Sequence, residues 1–155
     1  MSGVKTSVYS VRLQGEADTL FEQFINENVE SNRDEIQNIL IRLQEIGSAT
    51  GARDIFFKHN EGKPGDGVCA LYDEPKKDLR LYCIRYGCVA IILGGGGPKN
   101  GARAWQNDEK LSKEAKKIIE VSNDIQERLR EKELEWLNEG TELTGNLNFS
   151  DDENQ

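Results

Sequence analysis

Residues 94–99 read GGGGPK, four glycines followed by a proline and a lysine. Glycine-rich loops that end in lysine can hold phosphate groups, because bare backbone amides and an ammonium surround the anion. A phosphate-binding loop of that kind places a serine or threonine beside the lysine, whereas Lys99 is followed by Asn100. We therefore interpret the glycines as the exit from a strand, and a phosphate-ligand site remains the alternative.

Three cysteines and one histidine are the other side chains with chemical potential. Cys69, Cys83 and Cys88 lie in apolar, strand-like sequence, no C-x-x-C spacing occurs, and His59 is the only histidine. We predict reduced, buried cysteines and no metal or other cofactor. A thiol nucleophile paired with His59 stays open at this point, although no spacing favours it.

Positive charge is concentrated in one part of an acidic chain. The formal net charge is −8 over 155 residues. Residues 58–103 nevertheless hold eight basic and five acidic side chains, a net charge of +3. Because a local field matters more to a binding site than the total charge, this region is the candidate surface for a polyanion. Its cations are Lys58, Lys63, Lys76, Lys77, Arg80, Arg85, Lys99 and Arg103.

The first part of the chain predicts a strand and a helical hairpin. SVYSVRL (7–13) has the β-branched and aromatic content of a strand. Residues 16–29 and 31–47 carry apolar side chains at helical spacing. Ser31 or Asn32 is predicted to cap the second helix, with Glu35 three positions after Asn32 as in a capping box, and Gly47 predicts the end of that helix.

The second part predicts a meander and a long helix. After a glycine-rich loop (48–67), strands are expected at 68–74, 79–86 and 88–93, with Arg80 and Tyr82 on one face. A helix is expected at 107–140, and an acidic disordered tail at 140–155. The result is a single α+β domain over residues 1–139, with helices over one face of a small sheet. Neither a signal peptide nor a membrane-spanning run is expected, so we predict a cytoplasmic protein.

The order of these elements resembles the RelE/ParE superfamily of bacterial toxins, in its HigB-like, phage-derived branch. The segments VCALYDE, LRLYCIR and VAIILGGGGPK occupy the places of the three meander strands in that family. KLSKEA occupies the place where the following helix begins. The resemblance covers roughly residues 7–120 and depends on element order more than on residue identity.

The resemblance implies a metal-independent endoribonuclease that acts on messenger RNA or on the ribosome. It also implies neutralisation by a helix-turn-helix antitoxin. Such cleavage needs a base, a cation for the scissile phosphate and an acid for the leaving oxygen. The residues assigned to catalysis by position are Arg80, Lys99 and Tyr82. Those assigned to substrate binding are Lys58, Arg85, Arg103, Lys76 and Lys77.

Departures from the family pattern keep other functions open. Asn100 replaces a second lysine, and the terminal helix has no histidine or tyrosine nearby. A non-catalytic relative that binds a protein partner through the same sheet or through the long helix is therefore the alternative. The gyrase-directed ParE branch leaves a different target possible, and the sequence does not indicate the oligomeric state.

Overall fold

The computed structural model describes residues 2–59, 61–62, 65–71, 78–99 and 109–148. The fold is mixed α+β, which confirms the predicted class. The elements in chain order are β1 (Ser7–Ser10), α1 (Leu20–Asn28), α2 (Arg33–Glu45), β2 (Phe57–Lys58), β3 (Val68–Leu71), β4 (Leu79–Tyr86), β5 (Ala90–Pro98), α3 (Glu109–Arg130), β6 (Leu134–Leu137) and β7 (Glu142–Gly145).

The main sheet has five strands in the order β1-β5-β4-β3-β2. Strands β3, β4 and β5 pair antiparallel, which confirms the predicted meander. Strand β1 forms one edge of the sheet and pairs in parallel with β5. Within the described ranges, no helix is both long and apolar enough to cross a membrane.

Both faces of the sheet are covered, so the prediction of helices over one face is wrong. On one face, Leu81 of β4 and Leu93 of β5 pack in a core with Phe24 of α1 and Ile39 of α2. On the other face, Ile84 and Ile92 pack in a second core with side chains of α3 that recur at helical spacing, namely Leu111, Ala115, Ile118 and Ile125. The molecule therefore has three layers, and burial of α3 against the sheet leaves no open sheet face in its centre.

Helix α2 begins after Asn32, one of the two predicted caps, but the capping box forms at α1 instead. Thr19 and Glu22 form the capping box of α1, with reciprocal hydrogen bonds between each side chain and the other residue's backbone amide. Asn32 precedes α2 but makes no side-chain cap. Its expected partner Glu35 is buried and instead accepts hydrogen bonds from the backbone amides of Asp78 (3.2 Å) and Leu79 (2.8 Å). Glu35 thus joins α2 to the start of β4.

The glycine run lies within β5 and is not a strand exit. An added Cβ at Gly94 would lie 3.1 Å from Ile118, and one at Gly95 would collide with the Glu114 carboxylate. An added Cβ at Gly96 would collide with the carbonyl oxygen of Arg80 in β4. Glycine is required here because α3 and β4 both approach the backbone of β5 closely.

A C-terminal hairpin replaces the last part of the predicted helix. Helix α3 ends at Arg130, and β6 and β7 pair antiparallel. The predictions of a helix to residue 140 and of disorder from that point are therefore wrong for residues 134–145. Residues past 148 lie outside the described residues. The Trp136 ring packs 4.9 Å from the Tyr86 ring, and the Tyr9 hydroxyl donates to the Thr141 carbonyl at 2.8 Å.

Replacement of Gly96 by alanine should destabilise the protein more than replacement of Gly97. At Gly96 the new methyl group meets backbone, which cannot move without breaking the β4–β5 ladder, whereas at Gly97 it meets the flexible Lys110 side chain at 3.2 Å. We expect a loss of about 3 kcal/mol for Gly96→Ala and under about 1 kcal/mol for Gly97→Ala in urea unfolding. Equal losses would contradict this account of the glycine run.

Replacement of Tyr86 by phenylalanine should stabilise the protein. The Tyr86 hydroxyl is buried and makes no hydrogen bond with a described residue. Its removal should add about 1 kcal/mol to the free energy of unfolding while the ring still packs on Trp136. Tyr9→Phe is the matched control, since it removes a hydroxyl that does donate a hydrogen bond, and it should cost about 1 kcal/mol.

The same variant should change the pH dependence of stability. Burial, and then the charge of Asp66, raise the pKa of Tyr86 above its ordinary value of 10.0. Because the raised pKa belongs to the folded state, the wild-type protein should lose stability as the pH rises above about 10. Tyr86→Phe should lose less over that range, and identical alkaline unfolding curves would contradict the assignment.

Candidate active site

Strand β4 places Arg80 and Tyr82 toward α3, as the alternation of the sequence predicts. Tyr82 is 0% exposed and packs in the α3-side core. Arg80 is 6% exposed. The basic sheet face expected from the resemblance is therefore closed, and substrate cannot reach the Tyr82 hydroxyl in this conformation.

Arg80 lies beside a buried carboxylate that sequence reasoning did not identify. Its Nη1 atom is 3.6 Å from Oε1 of Glu61, which is 5% exposed. The Lys58 ammonium, at the end of β2, is 3.8 Å from the same oxygen. Both distances are those of ion pairs and exceed hydrogen-bond length. Lys58 and Arg80, two of the predicted cations, thus meet on one carboxylate.

Arg80 Nη1 is incompletely satisfied. The atom is buried and makes no hydrogen bond with any residue in the described ranges. A buried guanidinium in that state costs free energy, because its lost hydration is only partly replaced. A phosphate oxygen is an acceptor that would complete its hydrogen bonding.

The loop that carries Glu61 is fixed to α3 by backbone carbonyls. Ser122 of α3 donates a hydrogen bond to the Asp66 carbonyl at 2.7 Å, and Gln126 donates to the Gly65 carbonyl at 3.3 Å. The Asp66 carboxylate accepts from the Val68 amide at 3.0 Å, at the start of β3. These contacts hold the loop over the α3 side of the sheet, where Arg80 also points.

Lys99 lies near Arg80 at the end of the β4–β5 ladder. Its backbone amide donates to the Asp78 carbonyl at 2.8 Å, and Arg80 pairs in register with Gly97. The rim, by which we mean residues 78–80 and 97–99, therefore brings two of the three predicted catalytic residues to one end of the sheet. The predicted binding residues Lys76, Lys77 and Arg103 lie outside the described residues.

Arg85 lies at the other end of β4, about 17 Å along the strand from Arg80. Its Nε donates to the Ala52 carbonyl at 2.7 Å, and its Nη1 pairs with Asp54 at 2.7 Å. Nη2 contacts the Cys88 sulfur at 3.4 Å. These contacts tie the β4–β5 turn to the segment after α2, so Arg85 is not part of the cluster around Arg80.

The cysteines and His59 do not form a catalytic or metal site. Cys69 and Cys83 face each other across β3 and β4 with their sulfurs 3.6 Å apart in the core. The hydrogen bond with Cys69 and then burial raise the pKa of Cys83, which keeps its thiol protonated. Cys88 is exposed, which differs from the prediction, and His59 contacts Asp54. Within the described ranges, no group of three or more potential metal ligands occurs.

A cleft of about 330 Å³ lies on the α2 side of the rim, lined by residues 30–35 and Asp78. Among the described residues that line it, the carboxylates are Glu30, Asp34, Glu35 and Asp78, and the one cation is Arg33. An acidic cleft repels phosphate groups, so the α3 side, with Arg80, is the better candidate for an anion site.

In comparisons with known proteins, the chain matches no protein-family model and no curated protein sequence. The functional interpretation therefore depends on the geometry of Glu61, Arg80 and Lys99.

Removal of one member of the Glu61–Arg80 pair should cost more than removal of both. Glu61→Gln leaves a buried guanidinium without its counter-charge, and we expect a loss of about 3 kcal/mol. The double variant Glu61→Gln with Arg80→Met, compared with each of its single variants, should recover most of that loss, because neither charge of the pair remains. Urea unfolding of the single and double variants measures the coupling. Additive losses would show that the two charges do not interact in the folded protein.

Proposed function

We propose that the chain is the toxin-like component of a type II toxin–antitoxin pair. In this proposal it is a cytoplasmic, metal-independent endoribonuclease, and a helix-turn-helix antitoxin neutralises it. The resemblance of the meander segments to RelE/HigB-like toxins supports the assignment. The observation that carries the chemistry is the buried Arg80 Nη1 atom, which makes no hydrogen bond with a described residue and lies 3.6 Å from the Glu61 carboxylate.

The roles follow from the three requirements of RNA cleavage. Arg80 binds the scissile phosphate and stabilises the charge that develops on it. Glu61 accepts the proton of the 2′-hydroxyl as that oxygen forms its bond to phosphorus. The bond from phosphorus to the 5′-oxygen breaks, and the ammonium of Lys58 or Lys99 protonates the leaving oxygen. Lys58 already contacts Glu61, and Lys99 adds positive charge at the rim.

Substrate binding in this scheme replaces one contact of Arg80 with another. The Arg80–Glu61 contact, at 3.6 Å, exceeds hydrogen-bond length, so a phosphate that makes a bidentate hydrogen bond can take the guanidinium from Glu61. Glu61, still beside Lys58, then accepts the proton of the 2′-hydroxyl. Tyr82, which is buried beneath this site, supports the strand that carries Arg80 and has no direct contact with RNA.

A second candidate is a protein-binding module without catalysis. The observation that favours it is the closure of both sheet faces by helices, together with the low exposure of Arg80. In this alternative Glu61 neutralises Arg80 permanently, and the chain acts through its outer helical surface.

Inducible expression in bacteria tests the proposal. Wild-type protein should arrest growth and produce RNA fragments that end in a 2′,3′-cyclic phosphate. Glu61→Gln should slow the cleavage of RNA by about 10²- to 10⁴-fold, because it removes the base with little change in shape. Lys99→Ala, at a half-buried rim position, should also relieve the arrest.

Lys5→Ala is the matched control, because it removes an exposed lysine at the opposite end of the sheet and should leave toxicity unchanged. Thermal unfolding of each purified variant separates loss of chemistry from loss of fold. Normal growth and intact RNA with wild-type protein would reject the nuclease and leave the binding module.

A further inference from the structure

Helix α3 carries a second cluster of positive charge, which the net charge of the chain conceals. Four lysines occur within its first nine residues, and two of them, Lys113 and Lys116, are exposed. We propose that this lysine ridge (Lys110, Lys113, Lys116 and Lys117) binds the phosphate backbone of single-stranded RNA. The proposal rests on the proposed function and extends it, since it specifies a path for the strand outside the cleavage site.

The ridge adjoins the candidate active site. The Lys110 side chain packs over Gly97, where an added Cβ would lie 3.2 Å from Lys110 Cγ. Gly97 is the cross-strand partner of Arg80 in the β4–β5 ladder. Residues directly opposite in an antiparallel pair have side-chain positions on the same face of the sheet, so Lys110 lies over the face from which Arg80 projects. An RNA strand that contacts Arg80 can therefore continue onto α3.

Two of the lysines are held in place and two project into solvent. Lys110 and Lys117 each lie 3.1 Å from the buried Glu114 carboxylate, and Lys110 is also 3.1 Å from Glu27 of α1. Burial acts to lower the pKa of Lys110, but Glu114 and Glu27 outweigh it and raise that pKa, so the residue stays charged. The Lys113 side chain is 69% exposed and reaches Glu109 only at 4.0 Å.

The distribution of charge along the outer face of α3 favours a polyanion on its first half. Lys113 and Lys116 are followed on the same face by Glu120, Asp124 and Glu127, all of which are exposed. Successive turns of a helix are about 5.4 Å apart, so the cations form a row that can meet successive phosphates. These three acidic side chains repel RNA and limit the contact to the end of α3 near the rim.

Binding of RNA that resists cleavage tests the ridge separately from catalysis. The probe is a short, fluorescently labelled oligouridine with 2′-O-methyl groups, measured by anisotropy over a series of salt concentrations. Lys113→Gln with Lys116→Gln should weaken binding and reduce the slope of log K against log salt by about 1.4, or about 0.7 for each lost contact. Lys5→Gln with Lys132→Gln changes two exposed lysines away from the ridge and should change neither quantity by as much.

Three outcomes would contradict RNA binding by the ridge. The wild-type protein could fail to bind the probe, or the ridge and control variants could lose affinity equally. The ridge variant could also bind more weakly with an unchanged slope of log K against log salt. Because the probe cannot be cut, a ridge-specific loss would support the inference even if no RNA cleavage were found. Conversely, an active nuclease whose ridge variants bind the probe normally would keep the proposed function and reject the ridge. If the ridge variant bound the RNA probe normally but no longer bound an acidic protein, the ridge would also be rejected as an RNA-binding surface.

Discussion

The close approach of α3 and β4 to the glycine backbone of β5 is the constraint on which the rest of the structure depends. Gly94 and Gly95 let Ile118 and Glu114 come down onto the strand, and Gly96 lets the β4 backbone come close in the plane of the sheet. Where β1 ends, α1 contacts β5 instead. The Glu114–Lys110–Glu27 contacts then join α3 to α1 across this strand. A side chain at these positions would push the layers apart.

This packing determines where chemistry can occur. Because α3 covers the face that carries Arg80 and Tyr82, the centre of the sheet is core, and polar side chains can reach solvent only toward its ends. Arg80 lies near one such end and keeps its charge through Glu61, at the cost of an imperfectly satisfied guanidinium. Natural proteins retain such costs most often at functional sites, which is why this pair carries the proposed function.

The sequence predicted the elements whose patterns are local. Alternation in LRLYCIRY gave β4 and the two faces of its side chains, and helical spacing gave α1, α2 and α3, although it extended α3 past its end at Arg130. The predictions from sequence failed where contacts between distant parts of the chain determine the local structure. Glycine disfavours strands, so the extension of β5 through Gly97 depends on neighbours that no local pattern reveals. Glu61 lies in a glycine-rich stretch that predicts a solvent-exposed loop, and no local pattern indicates that its side chain is buried beside Arg80. The turn before β7 had a signal in the sequence, because Asn138 and Gly140 are residue types that tolerate the positive φ found there, but the predicted helix was extended through it to residue 140.

The central claim is that Arg80 and Glu61 form one site that receives an RNA phosphate at the rim. A crystal structure of the protein with an RNA strand that carries a 2′-O-methyl group at the scissile position tests it most directly. The account predicts a phosphate oxygen within hydrogen-bond distance of Arg80 Nη1, with the Glu61 carboxylate turned toward the 2′-oxygen. An RNA strand bound elsewhere, with the Arg80–Glu61 pair unchanged, would contradict it.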